Sequence, residues 1–361
     1  MKITDIIAHE LEPSGPFKFH DGWPATMFSH VFVRVLTDEG HEGHFITWLM
    51  NIGEFETQLP SLKSLLVGKE PYFVEQINQH LQEFNIHTPS SVISAIDICL
   101  WDLIGKKHGE PIYRLLGAAR DNVRAYASTH NYETDQEYID LALTCKELGF
   151  KAFKLHPYGI PEKDIRLCRS VREAVGPEME LMLDPVNAYD RQGALKVGRV
   201  LDELNFTWFE APILDTDIHG LVQLRNKLKT PIAGAESDIQ GLRTTTRYLE
   251  AGALDQIRSI GDREGGISAM RKIAAVCEAF NVKFEPHSFG PPLVQAAHFH
   301  VMLSILNCDY VELPVPLGLF DKGMKDVLKP DANGYVHAPT KPGLGYEVDM
   351  EEIERLTIRK F

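Results

Sequence analysis

Apolar and polar positions alternate along residues 1–10 and 28–46, as in Val31-Phe32-Val33-Arg34-Val35-Leu36, and Asp38-Glu39-Gly40 supplies a turn between two such runs. A small antiparallel sheet is predicted. Between its strands, Pro13 to Pro24 is rich in turn formers yet carries Lys18, His20 and Trp23, the composition of a lid and not of an inert spacer. A second polar-aromatic stretch, Thr47-Trp48-Leu49-Met50-Asn51, follows. Helical periodicity then takes over near residues 53–67, 71–84 and 90–105, where Ser90 and Ser91 are expected to cap the run from Val92 to Ile104. Residues 1–122 read as an α+β domain.

From Val123 the pattern changes to strand-helix alternation. Short apolar strands are predicted near 123–128, 151–156, 180–184, 206–210, 231–236, 254–260, 282–287 and 309–313, with helices near 135–148, 162–175, 191–204, 216–228, 239–252, 266–280 and 291–306. Eight strands separated by seven helices is a barrel count, and such strands suit a parallel sheet buried on both faces. The competing doubly wound sheet lacks a Gly-rich phosphate loop after its first strand. The barrel is assigned to residues 123–323, and the irregular tail, 324–361, is expected to pack back on the first domain.

Three predicted strands end in acids: Asp184, Glu210 and Glu236, at intervals of 26 and 26 residues. Parallel strands would bring these acids together at one mouth, and close carboxylates stay ionised only around a cation. An all-oxygen set suits Mg2+ before Zn2+. Lys154 and His156 share a face of the second strand, and His287 closes the seventh, so a base is expected on each side of the ion. Lys154 is expected to have a depressed proton affinity, as a general base needs. Lys18, His20, Trp23, Trp48, His130, Asn187 and Tyr158 could meet substrate hydroxyls, while Arg258 and Glu312 face the mouth, with packing inside the barrel an equal account of both. Glu312 is counted among the substrate contacts. His80, His87, His108, His219, His298 and His300 read as structural or exposed.

Composition narrows the field. The 361 residues are 44% apolar, enough for a barrel of about 250 residues and a second domain. The formal charge of −14 and the lack of a basic stripe argue against nucleic acid. Five dispersed cysteines suggest free buried thiols in a reducing cytoplasm, and neither a leader's apolar core nor an 18-residue apolar run points to a membrane.

Several stretches together resemble the enolase superfamily, in its mandelate racemase and muconate-lactonizing branch. They are Ala95-Ile96-Asp97-Ile98-Cys99-Leu100-Trp101-Asp102, Phe153-Lys154-Leu155-His156, Leu183-Asp184, Trp208-Phe209-Glu210-Ala211-Pro212, Ala233-Gly234-Ala235-Glu236, Gly265-Gly266-Ile267, Pro286-His287 and Pro342-Gly343-Leu344-Gly345. Individually weak, they are specific in this order and spacing. The resemblance implies a modified TIM barrel, (β/α)7β, with an α+β capping domain, and Mg2+ held by Asp184, Glu210 and Glu236. It implies a small-molecule carboxylate substrate whose α-proton a base removes to form an enediolate; a homo-oligomer is the expected assembly.

Two departures stand out. His156 replaces the second lysine of the family's Lys-x-Lys motif, and Ile260 stands where an aspartate usually orients the seventh-strand histidine. Asp262 could reach His287 through a rearranged loop; a missing partner is the favoured reading, and His287 would then serve as general acid. Dehydration of an acid sugar, which needs one base and one acid, is the expected reaction. Racemisation or epimerisation, cycloisomerisation, and a metal-binding relative with lost or altered activity are the alternatives.

Overall fold

The computed structural model describes residues 1–48, 52–83, 89–237 and 241–361. Strands β1 (Ile3–Phe17), β2 (Thr26–Thr37) and β3 (Glu42–Trp48) form an antiparallel sheet, followed by helices α1 (Ile52–Leu66), α2 (Val74–Glu83), α3 (Ser90–His108) and α4 (Ile112–Leu115). The first strand runs past Pro13, where the sequence predicts a loop. Register shifts between Leu11 and Ser14 and between Ser14 and Phe17 absorb the two prolines, which cannot donate to a regular ladder. The loop expected to form a lid is therefore shorter, spanning residues 18–25. At α3 the expected serine cap is also overturned: Pro89 holds the N-cap position without a side-chain bond, and Ser90 is already helical.

The barrel strands are β4 (Asn122–Ser128), β5 (Ala152–Leu155), β6 (Glu180–Leu183), β7 (Trp208–Glu210), β8 (Ile232–Gly234), β9 (Gln256–Ser259), β10 (Lys283–Pro286) and β11 (Tyr310–Pro314). Helices α5 (Asp135–Glu147), α6 (Pro161–Val175), α7 (Arg191–Leu204), α8 (Ile218–Arg225), α9 (Leu242–Ala251), α10 (Gly266–Ala279) and α11 (Pro292–Met302) alternate with them. Local chemistry sets these boundaries. Thr134 and Glu137 form a reciprocal capping box at α5, and Asp190 accepts from Gly193 N at 2.7 Å to start α7.

Parallel pairing runs β10-β9-β8-β7-β6-β5-β4-β11. Side chains stitch the remaining seam between β10 and β11. Glu285 accepts from Asp309 N (2.7 Å) and Tyr310 N (3.2 Å), and Ser288 Oγ donates to Glu312 O at 2.9 Å. The result is a nearly closed eight-stranded barrel. In the tail, β12 (Tyr335–His337) pairs with β4, and α12 (Met350–Leu356) leads to β13 (Thr357–Lys360), which pairs with β1.

Helix α3 is buried almost all round because it lies between the cap sheet and α10. Two of its acids fasten the regions together. Asp97 accepts from Asn78 Nδ2 at 2.8 Å and from Ser268 N at 3.0 Å, so it caps the first turn of α10, whose own N-cap residue is Gly265. Gly266, at φ +78°, is required there, since a Cβ would lie 2.4 Å from the Asp97 carboxylate. Asp102 accepts from Leu344 N and His44 N, each at 2.8 Å, and joins the Pro342–Gly345 turn to β3. All five cysteines are free and buried, and among the described residues no helix is long and apolar enough to cross a membrane.

Candidate active site

Strand periodicity builds the barrel interior in layers. Tyr126, Ala152, Met182, Trp208, Ala233 and Tyr310 form an apolar floor. Two residues further along their strands than Ala152, Met182, Trp208 and Tyr310 stand Lys154, Asp184, Glu210 and Glu312, a charged layer facing the mouth. Asp184, Glu210 and Glu236 offer oxygens within 4.8 Å of one another, all buried. The backbone at these strand ends is strained, with Val186 (φ 51°), Ala211 (φ 37°) and Ala235 (φ 80°) all in the left-handed region although each bears a Cβ.

The three acids are unequally satisfied. Glu210 receives Lys154 Nζ (3.1 Å), Trp208 Nε1 (2.9 Å) and Arg258 Nε (2.7 Å). Asp184 receives Lys154 Nζ (3.1 Å) and Val186 N (2.9 Å), and His156 Nε2 lies 3.1 Å away. Burial opposes its charge, yet Lys154 and His156 hold its pKa below the ordinary value. Glu236 is the exception: its buried Oε2 has no hydrogen-bond donor, and the Arg258 guanidinium lies 4.0 Å away. Burial, then the charges of Glu210 and Asp184, raise its pKa well above the usual carboxylate range.

Four clustered carboxylates, with Glu312 as the fourth, thus face two cationic side chains, Lys154 and Arg258. With all four acids ionised the excess is two negative charges, which, with the orphaned Glu236 oxygen, fits one hard divalent cation held by Asp184, Glu210 and Glu236.

Residues 137–353 match the family described as enolase C-terminal domain-like, and residues 2–117 the mandelate racemase/muconate lactonizing enzyme N-terminal domain. The chain belongs to the mandelate racemase/muconate-lactonizing branch of the enolase superfamily. It is 29% identical to D-galactarolactone cycloisomerase of Agrobacterium fabrum over 98% of both chains. Against arabinonate dehydratase of Saccharolobus solfataricus the identity is 32%, covering 71% of this chain and 69% of the relative. The solved structure of D-glucarate dehydratase from Agrobacterium tumefaciens, complexed with magnesium, superimposes with a TM-score of 0.89 at 29% identity, covering 99% of this chain and 100% of that one.

Within this family member, Lys154 departs from the expectation of a weakened proton affinity. It is fully buried, with Asp184 and Glu210 oxygens at 3.1 Å and Glu312 Oε1 at 3.0 Å. Burial works against the ammonium, but Glu210 and Glu312 outweigh it and its pKa is raised. Glu312 is corrected too. Instead of opening to the mouth, it is wholly buried between Lys154 and Arg258 Nη2 (2.8 Å) and accepts from Ser288 N at 3.1 Å.

His156 stands at the mouth with its Nδ1 buried and without a partner, and the Phe19 and Phe289 rings lie 5.5 and 6.0 Å away by centroid. His287 also leaves Nδ1 buried and unpartnered, and burial pushes its pKa down to about 3. Asp262 does not reach it. Both Asp262 oxygens are buried without a hydrogen bond and burial raises that acid's pKa. The main favourable charge at His287 comes from Glu312.

The loop of residues 18–25 docks on the loops after β4 and β5: Asn131 N donates to Lys18 O at 2.9 Å, and Asp21 N to Tyr158 O at 2.7 Å. His20 and Trp23 meet edge-on at 5.7 Å, and Trp23 is 38% exposed. Trp48 instead packs among Phe28, Phe289 and Phe320, while Leu49, Met50 and Asn51 lie outside the described residues, as does His87. Asn187 gives its amide to Ser237 Oγ (2.8 Å) and keeps Oδ1 free; Tyr158 donates its hydroxyl to Asp135 (2.7 Å). The sequence reading missed Trp208, Phe19, Phe289 and Asp215. Trp208 and Phe289 were reachable, each two residues from a named site residue on the same strand or its extension.

Proposed function

We propose that this protein is a Mg2+-dependent lyase that removes the proton α to a carboxylate and expels water from an acid sugar. The observation that carries the reading is the acidic cluster with its excess of two negative charges, with His156 beside it and Lys154 beneath. The dehydratase among its relatives, and the magnesium in a similar structure, support the same choice. Bound by Asp184, Glu210 and Glu236, the ion would draw in the substrate carboxylate and offset the charge that grows on it as the proton leaves.

The chain's own residues do the rest. Lys154 remains an ammonium and donates hydrogen bonds at the base of the site, so the base on that side is His156. Phe19 and Phe289 keep water from its ring. Burial keeps His287 neutral on its own; in the substrate complex it takes up one proton from solvent and then delivers that proton to the departing hydroxide, forming water. The aromatic floor excludes water from below.

A second reading, racemisation or epimerisation, is favoured by one feature: histidines just past the ends of β5 and β10, strands separated around the barrel. A mass-resolved screen of aldonic and aldaric acids with Mg2+ decides between them. Loss of one water from a substrate is expected. Deuterium incorporation from D2O with an inverted centre and no mass loss of water would replace the lyase with the isomerase.

A further inference from the structure

Asp215 lies in the loop between β7 and α8 and is buried, at 2% exposure. It is not needed to start α8, because Asp217 is the N-cap and accepts from Gly220 N at 3.0 Å. Instead its two carboxylate oxygens reach across to the end of β8. Oδ1 accepts from Ala235 N at 3.0 Å and Oδ2 from Ser237 N at 2.9 Å, the residues on either side of Glu236. The fit is close, since a Cβ on Gly234 would sit 2.9 Å from Oδ1. From the far side, Tyr248 OH on α9 donates to the Asp215 carbonyl at 2.9 Å.

The clamp holds a backbone that would otherwise relax. Ala235 has φ +80°, a conformation that its Cβ disfavours, and this turn is what directs Glu236 into the acidic cluster. Glu236 cannot hold itself there, for its Oε2 has no donor and its charge is repelled by its neighbours. A collar of bonds extends the clamp to the other two acids. Asn187 Nδ2 donates to Ser237 Oγ (2.8 Å), Asn187 N to Ala211 O (2.8 Å), and Val186 N to Asp184 Oδ1 (2.9 Å).

We infer that Asp215 is a positioning residue for the divalent cation, fixing Glu236 as a ligand by gripping the backbone on both sides of it. It touches neither the ion nor the substrate. The inference rests on the metal-site reading above, and the test separates the two.

Mg2+ binding to the full-length protein is measured by titration calorimetry, with folding followed by circular dichroism and melting. The unaltered protein should bind one ion; no binding would overturn the metal-site reading and this inference together. Asp215→Asn, which replaces one acceptor by a donor, should weaken Mg2+ binding by about 10- to 100-fold with the fold retained. Asp215→Glu keeps the charge but displaces the grip, and should weaken it similarly. Adding Ala235→Gly to Asp215→Asn removes the backbone penalty at φ +80° and should recover several-fold of the loss. Wild-type affinity in Asp215→Asn, or in Asp215→Glu, overturns the inference, the latter by assigning the effect to charge. No recovery in the double variant does so as well. Loss of fold in both single variants would make Asp215 part of the scaffold and overturn it too.

Discussion

Two groups of buried acids in this chain have the same chemistry and opposite fates. At the junction of cap and barrel, Asp97 and Asp102 are 2% exposed and every carboxylate oxygen has a donor. Beyond the ends of β8 and β9, Glu236, at 8% exposure, and Asp262, at 0%, keep oxygens with none. An unpaired buried acceptor costs about 1–3 kcal/mol, so the first pair stabilises the assembly while the second burdens it. The difference separates acids that hold the fold from acids whose oxygens are left with acceptor capacity to spare. Glu210 belongs to both groups, being a ligand candidate that also anchors Lys154 and Arg258.

The sharpest test compares Glu236→Gln with Glu210→Gln. Glu236→Gln should lower turnover by about 1000-fold, roughly 4 kcal/mol of transition-state stabilisation. Its metal-free melting temperature should stay or rise, because a carboxyl whose ionisation is opposed by burial and by Glu210 and Asp184 gives way to a neutral amide. Glu210→Gln should also lose turnover, but should destabilise the metal-free protein by about 3 kcal/mol, since two buried cations lose one of the two acids they share, the other being Glu312. Melting curves in chelator and Mg2+ titrations check both; equal melting temperatures for the two variants would erase the distinction.

Asp97→Ala probes the other group. It leaves Asn78 Nδ2 and the Ser268 N–H without their acceptor, and a loss of about 2–4 kcal/mol is expected in denaturant unfolding, with Mg2+ affinity within about twofold of wild type. A large fall in affinity at unchanged stability would mean that the junction acid serves the mouth.

The smallest effect is a pH dependence in the cap. Burial, with Lys322 adding to it, lowers the His30 pKa from 6.5 to about 4. The unfolded chain therefore binds this proton more tightly than the folded one. Stability from this group is full above pH 6.5, is lost as pH falls towards 4, and amounts to at most about 3 kcal/mol. His30→Gln should flatten the melting temperature between those limits. An unchanged slope would place the acid sensitivity elsewhere.

Much of the architecture was readable in advance because periodicity is local. The strand-helix alternation after Val123 follows from which positions are apolar, and the common interval from Asp184 to Glu210 to Glu236 follows from one strand, one helix and two loops per unit. Local turn chemistry was less reliable. The bulged β1 keeps its pairing through two prolines because β2 supplies the partners, and Pro89 takes the N-cap where serines stood ready.

The sequence by itself determined that three acids, a lysine and two histidines occupy the same ends of parallel strands. Only the tertiary structure decided their states. Lys154 is held as a cation by Glu210, at 3.1 Å, and by Glu312, 158 positions away, at 3.0 Å; His287 Nδ1 has no carboxylate partner because both Asp262 oxygens lie elsewhere. Asp215 grips Glu236 from 21 residues upstream in a loop without periodicity. A side chain's direction is set by its own strand, but its proton affinity and partners are set by charges and donors that folding brings from far along the chain.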